Sequence, residues 1–304
     1  MQDPATSSSN ALLSADMIAP RAPLVIGIDG GGTSCRVAIA KTNGVVIAGA
    51  TGGSANIFSD PDGAIARIRK TIVSAGEDAG LTPDETFRLP AVLGLAGVNI
   101  GHDLERVGIS LGLERAKIVT DAEIALEGAL GSDDGIVAII GTGSVYLRRL
   151  AGRIDSIGGW GFTLGDQSSG ARLGRDCLEH TLLAHDGIIA AGNLSRSILE
   201  KFDYDPVAIV SFARSAQPGD FARFAGDLFR FAETADPLAR LILNEAITYI
   251  ESAVGALQTG RLPLVLLGGL ASSYRPYLPI GLTQEIIEPK GSALDGALAM
   301  ALKL

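Results

Sequence analysis

The hydrophobic pattern opens with apolar runs over residues 24–28 and 35–40, separated by a glycine-rich loop. Two apolar runs joined by a tight turn predict a pair of antiparallel strands. Asn43-Gly44 then supplies the positive φ angles of a two-residue hairpin turn, so a third strand is expected over residues 45–50. Three antiparallel strands therefore open the chain.

Helices and short buried strands follow this meander. Isoleucines recur at helical spacing over residues 61–79, and the patterns of residues 104–111 and 122–130 also predict helices. Short apolar runs over residues 90–95 and 117–120 predict buried strands. The first half therefore has a βββαβα plan.

The same plan recurs in the second half of the chain. Apolar strands are expected over residues 136–140 and 144–150, on either side of a Gly-Thr-Gly turn, and a third strand over residues 153–157. The remaining elements predicted here are helices over about residues 171–184 and 221–258, a buried strand over residues 264–267 and a C-terminal helix over residues 292–304. Because the halves repeat one another, the pattern predicts a duplicated α/β fold with a ligand cleft between them.

Composition and charge limit the partners and the cellular location that we expect for this protein. The 304 residues are 47% hydrophobic, with a mean hydropathy of +0.31, and supply ample material for a buried core. The net charge of −9 disfavours nonspecific nucleic acid binding, which needs Lys and Arg against phosphates. No apolar stretch approaches the ~18 to 20 residues of a membrane span, and residues 1–22 lack the pattern of a secretory signal. We therefore expect a cytoplasmic protein with a flexible leader over residues 1–22.

Two loops carry candidate chemistry. Residues 29–33 (Asp-Gly-Gly-Gly-Thr) and 141–144 (Gly-Thr-Gly-Ser) each follow an apolar strand and contain small residues with a hydroxyl. Such loops bring backbone N–H groups against phosphate oxygens, but a ligand-free hairpin turn explains either loop on its own about equally well. Their equivalent places in the repeat favour the phosphate interpretation. The P-loop motif and the dinucleotide-binding glycine motif are both absent from the sequence.

Six motifs follow one another along the chain. They are Gly27-Ile-Asp-Gly-Gly-Gly-Thr33, Gly53-Ser-Ala-Asn56, Thr120-Asp121-Ala122, Gly141-Thr-Gly-Ser144, Gly158-Gly-Trp-Gly-Phe-Thr-Leu-Gly-Asp166 and Gly268-Gly269. Their order and spacing resemble the N-acetylglucosamine kinase branch of the actin/hexokinase/Hsp70-like superfamily, over about residues 23–304. That branch also includes bacterial glucosamine kinases and the activator ATPases of acyl-CoA dehydratases and reductases.

The resemblance implies a fold and two cofactors. The fold would be a pair of actin-like (ribonuclease H-like) domains over residues 23–121 and 122–290, with a helix over residues 291–304 returning to the first domain. The cofactors would be ATP and Mg²⁺. The phosphate loops would be lined by Gly31, Gly32 and Thr33 in the first half and by Gly141, Thr142 and Gly143 in the second.

Three further ligand contacts follow from the same resemblance. Asp29 would hold Mg²⁺ through water, since Mg²⁺ prefers oxygen ligands and commonly bridges a carboxylate to nucleotide phosphates. Gly268 and Gly269 would let adenosine lie close to the backbone. Without the resemblance, a tight turn explains this glycine pair equally well.

Five residues match the sugar site of that family: Asn56, Asp121, Trp160, Gly161 and Asp166. Short amide and carboxylate side chains bind sugar hydroxyls, a tryptophan offers a flat apolar wall, and Asp121 would be the general base. From the residues alone, Trp160 also fits a core position, Asn56 a loop that satisfies its own backbone, and Asp121 a helix N-cap. These alternatives remain open at this point.

The resulting hypothesis is ATP-dependent phosphorylation of an amino sugar, N-acetylglucosamine or glucosamine, at the 6-hydroxyl. Other acceptors stay open, among them N-acetylmannosamine, a muramic sugar and a disaccharide. Gln167 stands where relatives usually have Glu, which leaves the choice between a neutral N-acetyl sugar and a cationic amino sugar undecided.

Two other classes compete with a sugar kinase. An activator-type ATPase would hold an iron–sulfur cluster between two subunits through thiolates, but the only cysteines, Cys35 and Cys177, are predicted to be buried. A non-catalytic sugar sensor would not need Asp121 together with both phosphate loops. A homodimer is also left open by the sequence.

Overall fold

The strands form two sheets, and the computed structural model describes residues 23–98 and 104–304 of the chain. The predicted leader, residues 1–22, lies outside the described residues. The strands are β1 (Leu24–Gly30), β2 (Cys35–Lys41), β3 (Val46–Gly52), β4 (Ala91–Leu95), β5 (Ala116–Thr120), β6 (Gly135–Ile140), β7 (Ser144–Leu150), β8 (Arg153–Gly158) and β9 (Leu264–Leu267).

Helices connect the strands and end the chain. They are α1 (Pro61–Asp78), α2 (Pro83–Phe87), α3 (Leu104–Leu111), α4 (Asp121–Leu130), α5 (Gly170–His185), α6 (Asn193–Lys201), α7 (Pro206–Ser215), α8 (Pro218–Ala222), α9 (Ala225–Glu233), α10 (Pro237–Leu257), α11 (Ala271–Tyr274), α12 (Ile280–Thr283) and α13 (Ala293–Ala301), with a short 3₁₀ turn (Arg275–Tyr277) after α11. Within the described residues, no helix is long and apolar enough to cross a membrane.

The first sheet has the strand order β3-β2-β1-β4-β5. Its first three strands are antiparallel neighbours, as predicted, and β4 and β5 run parallel to β1. The central strand β1 is buried along its whole length, which explains its continuous apolar sequence. Gly30, Leu95 and Thr120 share one register across the parallel strands. The residues that follow them therefore meet at one edge, where open α/β sheets bind ligands.

The second sheet repeats this arrangement with the order β8-β7-β6-β9. An antiparallel meander of three strands is again followed by a strand, β9, that is parallel to the first one, β6. The duplicated α/β fold predicted from the sequence is confirmed. The second half differs by its helices, since α5 to α10 occupy the chain between β8 and β9.

Helix α4 lies between the two sheets. Ile124 packs with the first sheet and α13, whereas Leu126 and Leu130 pack with Val137 and Val265 of the second sheet. Residues 124–130 of α4 are all buried, as expected of a helix that is enclosed on every side. The division of the chain at residues 121 and 290 stays a prediction.

The charged residue Glu127 is buried in this interface. Its carboxylate accepts hydrogen bonds from Arg149 of β7 (2.6 Å) and from Lys303 after α13 (2.7 Å). Burial alone would raise the pKa of Glu127, but these two cations hold it below its usual value. The ion cluster therefore connects α4, the second sheet and the chain end.

The predicted helix over residues 221–258 is wrong in one respect, because three helices occupy this range. Asp236 caps α10 by accepting from the Ala239 N–H, Pro237 is the first residue of α10, and Ala235 has a left-handed φ of 62°. The Asp-Pro pair is a helix-start signal that interrupts an otherwise helical pattern. Helices α6 and α7 were not predicted.

Candidate active site

The loop that carries Asn56 is attached to the ligand-binding edge of the first sheet. The Ala55 N–H donates to the Gly31 carbonyl (3.0 Å), and the Ile57 N–H donates to the Ala96 carbonyl (3.1 Å). The Asn56 Oδ1 accepts from the backbone N–H groups of Phe58 (2.9 Å) and Ser59 (3.2 Å). Asn56 therefore orders its own loop through Oδ1, as one interpretation of the sequence expected.

The first phosphate-type loop is closed by its own backbone. The Gly31 N–H donates to the Ser34 carbonyl at 2.9 Å. Gly32 and Thr33 are exposed, and a Cβ added at Gly32 would meet no atom within 4 Å. The tip of the loop thus leaves room for a ligand against its backbone.

Asp29 is the next-to-last residue of β1 and is 8% exposed. Its carboxylate accepts from the guanidinium of Arg36, which is the directly opposite residue on β2. The sequence analysis did not predict this pair. The register of the β1–β2 hairpin could have indicated it, because that register places the two opposite charges on directly facing residues. Arg36 therefore forms an ion pair with Asp29 at the mouth of the first loop.

Asp121 is the first residue of α4, and it is not the N-cap. Thr120 has that role, since its Oγ1 accepts from the Glu123 N–H (3.0 Å) while the Glu123 carboxylate accepts from the Thr120 N–H (2.9 Å). This capping box makes the N-cap interpretation of Asp121 wrong. The Asp121 carboxylate is left to accept one local bond, from the Ala122 N–H at 2.9 Å.

The environment of Asp121 perturbs its ionisation. Burial raises the pKa of this carboxyl from its usual 3.8 to about 6, the Ala122 N–H opposes the rise, and the nearby negative charge of Asp29 adds to it. Asp29 and Asp121 therefore lie close enough to influence one another electrostatically. A carboxyl with a raised pKa beside a second carboxylate, at the ligand-binding edge of a sheet, is a candidate catalytic group.

The second phosphate-type loop lies against the start of α5. The Gly141 N–H donates to the Gly143 carbonyl (2.9 Å) and closes the turn. The carbonyl oxygens of Gly141 and Thr142 accept from the N–H groups of Gly170 (2.8 Å) and Ala171 (3.2 Å). The loop is thus fixed from behind, and Thr142 at its tip is exposed.

Gly268 and Gly269 lie beside this second loop. The Leu270 N–H donates to the Ile140 carbonyl at 3.0 Å, directly before Gly141. Gly268 has a φ of 94°, and a Cβ there would overlap the Ile140 carbonyl oxygen, so only glycine fits. Gly269 is exposed and open. The tight-turn interpretation holds for Gly268, and the exposed backbone that adenosine would need is found at Gly269.

Asp166 packs onto the second loop. Its Oδ1 accepts from the Ser144 N–H at 3.4 Å, and a Cβ at Gly143 would lie 3.0 Å from its Oδ2. Asp166 is 9% exposed, and burial raises its pKa. The second half of the fold therefore also has a buried carboxyl group, next to its phosphate-type loop.

Trp160 projects from the β8–α5 segment into solvent. Its side chain is 76% exposed, so the core interpretation of this residue is wrong. Gly161 begins a turn in which its carbonyl accepts from the Gly165 N–H at 2.7 Å, and a Cβ at Gly165 would lie 2.9 Å from the Trp160 Cβ. An exposed aromatic face on a built turn is available to pack against a ligand.

Gln167 forms hydrogen bonds through both its backbone carbonyl and its side chain. Its carbonyl accepts from the Ser144 hydroxyl at 2.6 Å, and its Nε2 donates to the Leu164 carbonyl at 3.4 Å. The neutral side chain thus adds no charge next to Asp166.

The structure assembles the predicted site residues in two groups. The first half places Asp29, Asn56 and Asp121 near the first loop, and the second half places Trp160 and Asp166 near the second. Among residues 23–98 and 104–304, no hydrogen bond or ion pair joins a member of one group to a member of the other. The individual ligand roles of these residues stay predictions.

Both cysteines lie in hydrophobic cores. Cys35 belongs to the core of the first half and Cys177 to that of the second, and each is 0% exposed. Burial raises the pKa of the Cys35 thiol to about 11 and raises that of Cys177 further. A metal cluster shared by two subunits needs accessible thiolates, which these positions do not supply.

A duplicated two-sheet fold with a glycine-threonine loop after the first strand of each half defines the class of actin-like ATPases. Comparison with known families agrees with this class over residues 26–295. The chain belongs to the BadF/BadG/BcrA/BcrD ATPase family.

Individual relatives are named as amino-sugar kinases. The chain is 33% identical over 289 residues to the glucosamine kinase GspK of Vibrio cholerae, with 91% of this chain and 95% of that protein covered. It is 30% identical over 276 residues to the N-acetyl-D-glucosamine kinase of Dictyostelium discoideum, with 81% and 85% covered. A solved structure of a candidate N-acetylglucosamine kinase from Chromobacterium violaceum superposes with a TM-score of 0.80 at 31% identity, covering 93% of this chain and 100% of that one.

Proposed function

We propose that this protein transfers the γ-phosphoryl group of ATP to the 6-hydroxyl of an amino sugar, N-acetylglucosamine or glucosamine. The names and coverage of the relatives support the substrate class. The observation that carries the proposal is Asp121, a partly buried carboxylate with a raised pKa at the edge of the first sheet, where Thr120 already caps α4.

Asp121 is suited to act as the general base. With a pKa of about 6 it is mostly ionised at neutral pH, yet it is more basic than an ordinary aspartate. In the proposed step the sugar oxygen forms a bond to the γ-phosphorus, the bond from that phosphorus to the β–γ bridging oxygen breaks, and ADP leaves. The hydroxyl proton goes to Asp121.

The two glycine-threonine loops would hold the phosphates. Gly31, Gly32 and Thr33 on one side, and Gly141, Thr142 and Gly143 on the other, would present backbone N–H groups and hydroxyls to phosphate oxygens. Gly268 and Gly269 would leave room for adenosine. Positioning and charge stabilisation supply most of the catalysis of phosphoryl transfer, which a pair of rigid loops can provide.

Asp29 fits a Mg²⁺ that accompanies ATP. Asp29 lies near the end of β1, next to the first loop, and the Asp121 carboxylate is a second oxygen donor nearby. Bound there, Mg²⁺ would neutralise developing phosphate charge and lower the pKa of Asp121. Because Arg36 pairs with Asp29, it would compete with the ion or reorient toward a phosphate oxygen.

The sugar would lie between the two groups of residues. The Asn56 Nδ2 and the backbone at Gly161 can bind hydroxyls, Trp160 can cover a sugar face, and Asp166 can accept a hydrogen bond. The neutral Gln167 removes one source of attraction for a cationic amine, so both N-acetylglucosamine and glucosamine belong in the test. We place the reaction in the cytoplasm, where ATP is supplied. A homodimer stays a prediction.

The test is ADP release over a panel of glucosamine, N-acetylglucosamine, N-acetylmannosamine, a muramic sugar and glucose. We expect an amino sugar to give the highest kcat/KM, well above that of glucose. A clear preference for glucose would reject the acceptor class. Equal and negligible turnover with all five sugars, together with iron in anaerobically purified protein, would favour an activator ATPase instead.

A further inference from the structure

A strand, a helix and a loop of the second half meet at one buried residue, Ser168. The hydroxyls of Ser168 and Tyr146 share a hydrogen bond of 2.6 Å, and the Tyr274 hydroxyl donates to the Ser168 carbonyl at 2.6 Å. Tyr146 is on β7, just after the second phosphate loop. Tyr274 ends α11, which follows the glycine pair at residues 268–269. Ser168 itself lies two residues after Asp166.

Both tyrosines are fully buried, although packing alone does not require their hydroxyl groups. Tyr146 and Tyr274 are each 0% exposed, and Ser168 is 2% exposed. The Tyr274 ring packs edge-on against Phe229 at 5.1 Å, so a phenylalanine at position 274 would serve the apolar contact equally well. A buried hydroxyl costs free energy unless it is hydrogen-bonded, and in both tyrosines the bond is made to Ser168.

The segment held by these bonds has an unfavourable backbone. Asp166 has a φ of 58° and Ser168 a φ of 68°, and left-handed conformations of residues other than glycine persist only where the surroundings fix them. The Ser169 N–H donates to the Asp166 carbonyl at 3.0 Å, so the turn is tight as well. Ser168 is thus the point at which the two tyrosines can impose the position of Asp166.

We propose that Tyr146 and Tyr274 are positioning residues that fix Ser168, and through it Asp166, so that nucleotide bound beside Gly269 strengthens sugar binding at the Trp160–Asp166 segment. The inference rests on the proposed function. It adds a physical connection between the nucleotide side and the sugar side of the second half. A shift of α11 on nucleotide binding would act on the Ser168 carbonyl through Tyr274, and a shift of the phosphate loop would act on the Ser168 hydroxyl through Tyr146.

The test measures coupling between the two ligands rather than activity alone. Trp160 is the only tryptophan, and it lies in the segment concerned, so its fluorescence reports sugar binding directly. The affinity for N-acetylglucosamine or glucosamine would be measured with and without the non-hydrolysable ATP analogue AMPPNP. We expect AMPPNP to tighten sugar binding at least about fivefold in the wild-type protein. In Tyr146→Phe and in Tyr274→Phe we expect this factor to fall below about twofold.

Matched variants separate positioning from simple loss of stability. Tyr277→Phe changes a tyrosine whose ring packs near the same Phe229, and we expect it to keep the wild-type coupling. Because AMPPNP also stabilises the folded state, both sugar affinities are measured at a temperature at which thermal melting shows each variant to be fully folded. We also expect kcat to fall about tenfold or more in both site variants, because small displacements of positioned groups are costly.

A double-mutant cycle tests the contact itself. Ser168→Ala removes the hydroxyl that Tyr146 binds but keeps the carbonyl that Tyr274 binds. We therefore expect Ser168→Ala to be non-additive with Tyr146→Phe and nearly additive with Tyr274→Phe. Wild-type coupling in Tyr274→Phe, or no coupling in the wild-type protein, would overturn the inference while leaving the kinase proposal intact. Failure of the wild-type protein to bind or phosphorylate any sugar of the panel would instead reject the proposed function.

Discussion

Replacing Asp121 by Asn should change activity and stability in opposite directions. Asparagine keeps the shape of the side chain and an Oδ1 that can accept from the Ala122 N–H, and the N-cap at Thr120 is untouched. It removes the basicity needed to accept the sugar proton. We therefore expect kcat to fall by ~10²- to 10⁴-fold, while nucleotide still binds.

The stability gain follows from the raised pKa. A carboxyl whose pKa is 3.8 when unfolded and about 6 when folded binds more protons in the folded state between those two values. The free energy of unfolding then falls as pH rises through this window, and the ionised Asp121 costs about 3 kcal/mol at pH 7. Because asparagine carries no charge, Asp121→Asn should be more stable at pH 7.5 by up to about 3 kcal/mol, or roughly 5 °C in Tm. The difference should shrink toward pH 4.

The assay pairs steady-state kinetics with thermal melting across pH 4 to about pH 8. In the wild-type protein kcat/KM should rise with pH through an apparent pKa of about 6 or lower, since bound Mg²⁺ would lower the pKa of Asp121, and this rise should vanish in the variant. Asp62→Asn is the control, since Asp62 is an exposed acid in the first turn of α1, and it should lower stability by less than about 1 kcal/mol. Turnover of Asp121→Asn within about threefold of wild type, with an unchanged Tm, would refute the reasoning and make Asp166 the next candidate base.

Further outcomes follow from the interface around α4 and from the separation of the two site groups. Glu127→Ala removes the acidic partner of the buried Arg149 and should lower the free energy of unfolding by about 3 to 5 kcal/mol. The control Glu114→Ala breaks an exposed ion pair and should lower it by less than about 1 kcal/mol. Equal losses in the two variants would contradict this prediction. Gly128→Ala should lower Tm, because the Cβ of the new alanine would overlap the Ser292 carbonyl of the C-terminal segment. In the same melting experiment, Gly255→Ala on α10 should stabilise the protein by up to about 1 kcal/mol, because that position faces open space. Sugar and nucleotide together should reduce the radius of gyration in small-angle scattering, and an unchanged radius would argue against closure of the halves.

The fold could be predicted largely because its signals are local and repeated. Continuous apolar runs predicted β1 and β6, and the turns at Gly44 and Gly152, both with positive φ, marked the hairpins. The number and boundaries of the helices between β8 and β9 were harder to predict. The break at Asp236 has a local Asp-Pro signal, but the same carboxylate also accepts from the Asn193 N–H, a partner 43 residues away, and this contact between α6 and α10 has no local signal.

The candidate site was only partly accessible from sequence for a similar reason. The glycine-threonine loops and Asp121 could be located by motif, but the role of Asp121 depended on which residue caps α4. The three-residue spacing of Thr120 and Glu123 predicts a capping box, and this capping box shows that Thr120, not Asp121, caps α4. The bonds of Ser168 to Tyr146 and Tyr274 join residues 22 and 106 positions apart, which no local pattern reveals.

The central claim is that this protein phosphorylates an amino sugar on its 6-hydroxyl with Asp121 as the base. The most direct measurement is NMR and mass analysis of the product formed from ATP and the best sugar of the panel. The account predicts a single sugar monophosphate in which phosphorus couples to the protons on carbon 6, formed by the wild-type protein and nearly absent with Asp121→Asn. Phosphorus attached at another carbon, or ATP hydrolysis to free phosphate with the sugar unchanged, would contradict it.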